Sequence, residues 1–233
     1  QTLTRFPFVD VIVRGEGEQT LLELAEHVER HGKIGRVAGI TFRKNSKIVR
    51  TPNRPFIENL DKLPFPAYHF LPLEKYSCLG RKIFLLLSSR GCPFQCTFCT
   101  MRLMDGRRFR SRSPKNVVDE MEYIREWGAE ALSFCDETFT LDKERVQKIC
   151  EEIRRRKVDL PWDCQTRADL ISRETLIKMK KAGCQLICFG VESGSQKILD
   201  AMRKETTVER NEKAIKLAKE VGLTVAASFM LGY

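Results

Sequence analysis

No run of about 18 apolar residues occurs anywhere in the chain, which excludes a membrane-spanning helix. The stretch Lys82 to Ser88 is apolar but far too short. No signal-peptide pattern follows Gln1. Cysteine is too sparse for a disulfide scaffold: nine in 233 residues lies well below the roughly 8–10% of that class. A zinc site pairs one C-x2-C unit with a second, distant one, and that second pair is missing. No aromatic interleaving or RNA-binding signature accompanies the basic charge, so nucleic acid gains no support as a partner.

What is present centres on Cys92, Cys96 and Cys99, in Ser-Arg-Gly-Cys-Pro-Phe-Gln-Cys-Thr-Phe-Cys-Thr. Their spacing is C-x3-C-x2-C, and no fourth cysteine completes the group nearby. Thiolates gathered this tightly are the usual ligands of an iron–sulfur cluster. A 4Fe–4S cluster held by three thiolates keeps one iron open to a small molecule. Electron-transfer clusters are normally closed by four cysteines. The pattern therefore implies chemistry at the cluster. Five other cysteines (Cys135, Cys150, Cys164, Cys184 and Cys188) sit in apolar or helical stretches, where a free thiol behaves as a small hydrophobe. Reduced thiols beside a cluster motif point to a reducing cytoplasm, with little oxygen.

Gly-Cys-Pro-Phe-Gln-Cys-Thr-Phe-Cys resembles the signature of the radical S-adenosylmethionine (SAM) superfamily. The resemblance implies that Cys92, Cys96 and Cys99 hold a 4Fe–4S cluster. It implies that the open iron chelates the amino and carboxylate groups of SAM. One electron then cleaves the sulfonium and releases a 5′-deoxyadenosyl radical. It also places Phe98, just before the last cysteine, by the adenine.

The chain is 42% hydrophobic and 31% charged, enough for one large domain or one domain plus part of another. From residue 82 a single pattern recurs: short β-prone run, amphipathic helix, glycine, next β-prone run. Strands are expected at Lys82–Ser88, Ala131–Cys135, Trp162–Thr166, Leu186–Val191 and Thr224–Leu231. Helices are expected from Pro114, capped by Ser113, from Lys143, from Arg173, near Gln196, and after a capping box at Thr206-x-x-Glu209. Such alternation makes a parallel sheet covered on both faces. A (β/α) barrel, whole or partial, fits five units with no switch; a doubly wound sheet competes on pattern alone. The family resemblance favours a six-unit partial barrel. Residues 81–233 would then be the radical SAM domain, truncated in or just after strand five at Leu231-Gly232-Tyr233.

Residues 1–80 differ. Val9–Val13 reads as a strand, and Gly15-Glu-Gly-Glu18 opens a helix carrying Leu21, Leu22, Ala25 and Val28. A hairpin turns at Asn45-Ser46, and Leu60-Asp-Lys-Leu-Pro-Phe-Pro66 is a Pro-rich link. The series resembles the end of a doubly wound cobalamin-binding domain with its linker. The resemblance implies cobalamin in a longer parent. His27, His31 and His69 lie outside any cobalt-ligand motif and read as surface or packing residues.

Reactive groups of a parallel barrel gather at the C-terminal ends of its strands. That rule selects the cysteine loop, then Asp136 and Glu137, then Arg167, then Glu192 and Ser193, then Met230 and Gly232. Radical SAM domains place cofactor contacts at the same levels. Asp136 or Glu137 either caps the following helix or bonds the SAM ammonium. Glu192 either caps a helix or accepts from the ribose hydroxyls. Arg167 pairs with the SAM carboxylate, or with Asp169 or Asp136. Met230 and Gly232 flank the adenine or belong to the core. The net charge of +10 concentrates in Arg102, Arg107, Arg108, Arg110 and Arg112. These form a solvated loop or a docking patch for an acidic donor, an anionic substrate or a nucleic acid.

The reading that follows is an enzyme: a cobalamin-associated radical SAM protein that methylates or cyclises a small-molecule substrate. It would need a low-potential electron donor such as a flavodoxin or ferredoxin. The alternatives are a tRNA-modifying enzyme resembling a methylthiotransferase, and a non-catalytic iron–sulfur electron carrier.

Overall fold

The computed structural model describes residues 2–78 and 80–233, apart from the side chain of Arg102. The chain divides into two compact units, one running to Glu58 and including Thr100–Gly106, the other Asn59–Cys99 with Arg107–Tyr233.

The first unit contains helix α1 (Thr2–Arg5), strand β1 (Val11–Val13), helix α2 (Glu18–Glu29), strands β2 (Ile40–Lys44) and β3 (Lys47–Arg50), and the short helix α3 (Met101–Met104). The three strands pair antiparallel in the order β1-β2-β3. The expected hairpin turn is present, with both Asn45 and Ser46 at positive φ. That is the backbone which matches a tight turn to strand twist. A small core forms from Leu24, Val37, Ile40 and Phe42. α2 meets it through Thr20 and Leu24, while Leu21, Leu22 and Val28 are 59%, 64% and 60% exposed. The apolar stripe expected on this helix therefore points outward.

The second unit repeats strand and helix. Its main elements are β4 (Ile83–Leu86), the pair β5 (Ser89–Arg90) and β6 (Arg110–Ser111), α4 (Pro114–Glu126), β7 (Ala131–Phe134), α5 (Lys143–Arg155), β8 (Trp162–Thr166), α6 (Arg173–Lys181), β9 (Cys184–Glu192), α7 (Gln196–Ala201), α8 (Val208–Glu220) and β10 (Thr224–Phe229). The sheet runs β10-β9-β8-β7-β4, every neighbour parallel. Spatial order follows chain order without a reversal. A doubly wound sheet needs a switch point, so the architecture is the partial (β/α) barrel.

Why the sequence folds this way is local first. Ser113 accepts from Asn116 N at 3.2 Å with Pro114 in the first turn of α4, and Asp142 accepts from Arg145 N at 2.9 Å before α5. Ser172 caps α6 in the same manner. Each removes an orphan N–H worth about 1 kcal/mol. The cap of α8 is a correction: Thr207, not Thr206, accepts from Arg210 N at 3.2 Å, and Thr206 is buried. Strand limits also move. β9 is longer than expected because pairing begins at Cys184, and β10 stops at Phe229, where a register shift follows Ser228.

One face of the sheet buries Leu86, Leu132, Phe134, Trp162, Cys164, Ile187 and Phe189 against Val117 and Met121 of α4, Val146 and Ile149 of α5, Leu176 of α6 and Ala214 of α8. Trp162 meets Phe134 edge-on at 5.3 Å and donates from Nε1 to the Ala182 carbonyl at 2.8 Å. Burying one such side chain stabilises the fold by roughly 1.5–3 kcal/mol. The Pro-rich link lies on this unit. Tyr68 packs edge-on against Phe84 at 5.0 Å, and Asp61 accepts from Ser113 N at 2.8 Å.

The arginine run is not one solvated loop. Arg110 is buried, and Arg112 forms an ion pair with buried Glu120. Arg107 and Arg108 are exposed. The Arg102 side chain lies outside the described residues. Among the described residues, no helix is long and apolar enough to cross a membrane.

Candidate functional site

The loop after β4 and β5 carries the cysteine motif, at the C-terminal end of the parallel sheet. All three thiols are free and partly exposed. Cys99 N donates to the Cys96 carbonyl at 3.3 Å, a tight turn that gathers the last two. Cys92 Sγ lies 3.7 Å from Thr138 Oγ1 in the loop after β7. Burial pushes the Cys96 thiol up, and Lys204 and then Arg167 draw it back down; Cys92 and Cys99 push the other way. Two cations thus favour the thiolate that a cluster requires. Among the described residues, no three His, Cys, Asp or Glu groups converge on a single-ion site. Cluster thiolates each bind a different iron, so they need not converge on one point. The donor set fits an iron–sulfur cluster: soft ligands, one edge open, cations beside it.

Arg167 follows β8 and is 4% exposed. Its Nε and Nη2 donate to Asp169 at 3.0 and 2.9 Å, and Nη2 also to the Lys204 carbonyl at 2.5 Å. Nη1 points to Cys96 Sγ at 3.8 Å. The guanidinium lies 3.7 Å from the centroid of the Phe94 ring. It braces the cysteine loop from below, while the pairing with Asp169 seen as one option in the sequence occupies its fork.

Asp136 and Glu137 part company. Asp136 is fully buried and accepts from Ser88 N at 2.7 Å, Ser88 Oγ at 2.6 Å and Ser89 Oγ at 2.5 Å. Arg145 Nη2 donates to the Ser88 carbonyl at 2.7 Å and to Ser88 Oγ at 2.5 Å. The carboxylate locks the end of β4, directly before the cysteine loop. It caps no helix; Asp142 does that. Glu137 is partly exposed.

Glu192 closes β9 with φ +64, a left-handed conformation rare without glycine. One carboxylate oxygen takes the Lys204 ammonium at 3.1 Å, and its carbonyl accepts from Met230 N at 2.9 Å. The pair lies over Gly190: a Cβ there would sit 2.7 Å from Glu192 Oε1 and 3.1 Å from Lys204 Nζ. Lys204 Nζ also stands 5.8 Å from the centroid of Phe98. Ser193 lies partly exposed in the turn that follows. Met230 and Gly232 lie beyond β10 rather than within it. A Cβ on Gly232 would meet no described protein atom within 4 Å.

The sequence reading missed Lys204, Arg145 and the serines at 88 and 89. It also missed Asp163, which accepts from Ser133 Oγ at 2.6 Å on the sheet face away from the helices. Strand alternation would have found Asp163, which is next to buried Trp162. Nothing local marks Lys204, a lysine in a charged turn.

The profile of the Radical SAM superfamily matches residues 86–233, and the chain belongs to that superfamily. Within it, the chain is 35% identical, over its whole length, to an uncharacterized methyltransferase of Pyrococcus horikoshii, covering 51% of that protein. It is also 35% identical, again over its whole length, to the anaerobic magnesium-protoporphyrin IX monomethyl ester cyclase of Rubrivivax gelatinosus, covering 43% of it. The chain thus spans about half the length of the curated relatives it matches. The cobalamin-dependent SAM radical enzyme OxsB, solved with aqua-cobalamin and SAM bound, superposes with TM-score 0.83 at 26% identity, over 99% of this chain and 34% of that one.

Proposed function

We propose that the parent of this chain is a cobalamin-associated radical SAM enzyme that methylates or cyclises a small molecule. The observation that carries the reading is the three-thiol loop at the mouth of the parallel sheet, with Arg167 turned toward Cys96 and the Lys204 ammonium beside the Phe98 ring of the same loop. Cys92, Cys96 and Cys99 would hold the 4Fe–4S cluster, which when bound and reduced supplies one-electron cleavage of SAM. Glu137 is the carboxylate assigned to the SAM ammonium, since Asp136 is committed to Ser88 and Ser89. The second oxygen of Glu192 is available for the ribose hydroxyls, and Phe98 supplies an apolar wall for the adenine. Arg167 orients the loop rather than gripping the SAM carboxylate, because Asp169 and two carbonyls take its donors. Ser193, Met230 and Gly232 line the same end of the sheet.

Residues 1–80 form the closing part of a cobalamin-binding domain with its linker, and residues 81–233 the radical SAM domain. What supports a cobalamin-associated parent is the likeness to OxsB along nearly the whole chain. A cytoplasmic setting and a flavodoxin- or ferredoxin-like donor complete the proposal.

The test uses the full-length parent. Anaerobic reconstitution should give about four irons per chain and a broad absorption band near about 400 nm, lost when any of the three cysteines becomes Ala. With a low-potential reductant it should turn SAM into 5′-deoxyadenosine. Full cluster content in the triple Ala variant overturns the ligand assignment. An intact cluster with no absorbance change on cobalamin titration overturns the cobalamin half.

A further inference from the structure

Three non-glycine residues in the left-handed conformation meet at one place: Glu192 at φ +64, Arg203 at φ +51 and Glu205 at φ +56. Each such residue is strained and persists only where its surroundings hold it. Between the last two sits Lys204. Its side chain is 7% exposed, an unusual place for an ammonium unless paired. The backbone around it is fixed at both ends. Lys204 N donates to the Leu199 carbonyl at 3.0 Å, and its carbonyl accepts from Arg167 at 2.5 Å.

The turn therefore delivers one cation to one spot. That spot brings two groups together: Glu192 Oε1 at 3.1 Å and, with its centroid at 5.8 Å, the ring of Phe98, which sits between Cys96 and Cys99 in the cysteine loop. The groups facing the ammonium are Glu192 from β9, Arg167 from the end of β8, and the cysteine loop. Gly190 is the only residue type that leaves room for the pair above the strand. Building a strained turn around a lysine gains nothing for the core, which lies on the other sheet face.

We propose that Lys204 is the positioning residue of the nucleoside half of the SAM site, holding the Glu192 carboxylate and the Phe98 ring in place while its charge faces the cluster loop. The inference rests on the proposed radical SAM function. Two consequences follow from the geometry. Glu192 pinned through one oxygen presents the other at a fixed angle, which favours a diol over a single hydroxyl. A cation beside the cysteines favours the reduced, more negative cluster.

The experiment is done on the reconstituted full-length parent with SAM as the probe. Wild-type iron content and SAM binding establish the underlying reading; if either fails, that reading falls. Lys204→Met should weaken SAM binding by about tenfold, the loss of one charge-assisted contact. It should also move the cluster midpoint potential, measured by redox-poised electron paramagnetic resonance, to a more negative value. Glu192→Gln should weaken SAM similarly and move the potential the other way. The double variant should bind SAM no worse than the weaker single variant, because the two residues act as one unit. Lys204→Gln, which keeps a hydrogen-bond donor without the charge, serves in place of the Met variant if that one loses iron. It should move the potential as Met does, while retaining more of the SAM affinity. Wild-type SAM affinity with an unmoved potential in either Lys204 variant, on an intact cluster, overturns the proposal. Simple additivity of the two single effects does so as well.

Discussion

Replacing Asp136 by Ala should unfold the barrel more readily, whereas replacing Glu137 by Gln should not. The magnitude comes from what Asp136 holds. Three donors reach it within 2.7 Å, one a backbone N–H and two serine hydroxyls, and all three serine or aspartate residues are essentially closed to water. Hydrogen bonds to a charged acceptor are worth about 1.5–3 kcal/mol each when lost singly. They share one carboxylate, so they do not add. Arg145, buried and bonded to the same Ser88, feels Asp136 as its strongest neighbouring anion. Removing the carboxylate leaves the three buried donors unsatisfied, at about 1–3 kcal/mol each before their overlap is allowed for, and that guanidinium less compensated. The expected loss for Asp136→Ala is therefore about 3–5 kcal/mol, a large part of the roughly 5–15 kcal/mol that holds a typical domain. Asp136→Asn keeps the shape and one acceptor and should lose about half as much. Urea titrations followed by circular dichroism, with thiols kept reduced, measure both. Glu137→Gln should stay within about 0.5 kcal/mol of wild type, yet weaken SAM binding by the reconstituted parent. The reasoning is refuted if Asp136→Ala unfolds at wild-type urea concentration and instead abolishes SAM binding. Asp136 would then be the ligand, and the serine network incidental.

Two further expectations follow. Burial, Glu120 and Tyr123 push the Tyr68 hydroxyl up to about 12, against the opposing pull of Arg112. The folded state then keeps a proton that the unfolded state releases at about 10, so this group's stabilisation is whole below about pH 10 and is lost as pH rises toward about 12, on the order of 2 kcal/mol in all. Alkaline urea titrations should show that decline in wild type and not in Tyr68→Phe; parallel curves would remove Tyr68 from the account. Gly190→Ala should displace both Glu192 and Lys204, since its Cβ would lie 2.7 and 3.1 Å from the tips of their side chains, which can swing aside at little cost to stability. It should weaken SAM binding with iron content intact, and unchanged affinity would show that the pair can move aside without consequence.

Much of the barrel was legible because its signals are local. Ser113 with Pro114 specifies a cap within four residues, as Asn45-Ser46 specifies a turn in the first unit, and both form as read. The strand order follows from the absence of any break in the repeat. Thr206 failed for a physical reason. Two adjacent threonines can both cap, and the interior claims the first, leaving Thr207 to accept from Arg210 N. The arginine run failed likewise. Charge was legible, but not the buried Glu120 on α4 that takes Arg112 inward. The cysteine triplet stood out because its chemistry needs close spacing in sequence. Lys204 did not, because its partners Glu192 and Phe98 lie 12 and 106 residues away along the chain.

The cysteines outside the motif show how far one rule of alternation reaches. Read one at a time, Cys135, Cys150, Cys164, Cys184 and Cys188 are all small hydrophobes. Read along their strands, they separate. Cys164 flanks Trp162 on the helix-covered face, and Cys184 opens β9 beneath it, both closed to water. Burial pushes the Cys164 thiol well up, so it stays protonated and inert. Cys135 and Cys188 fall on the opposite register, where Ser133 and Asp163 also lie, and both are partly exposed. Burial pushes both thiols up, with Asp136 and Asp163 adding to it at Cys135 and Asp163 and Glu192 at Cys188. A side chain on that face contributes little to the apolar core that determines stability. The two faces of one sheet thus divide the labour. Substitutions in the row of Trp162 and Cys164 should register in unfolding, and those in the row of Asp163 and Cys188 in what the open face accepts. Since successive residues point to opposite faces, Trp162 and Asp163 are adjacent in sequence and answer to different demands.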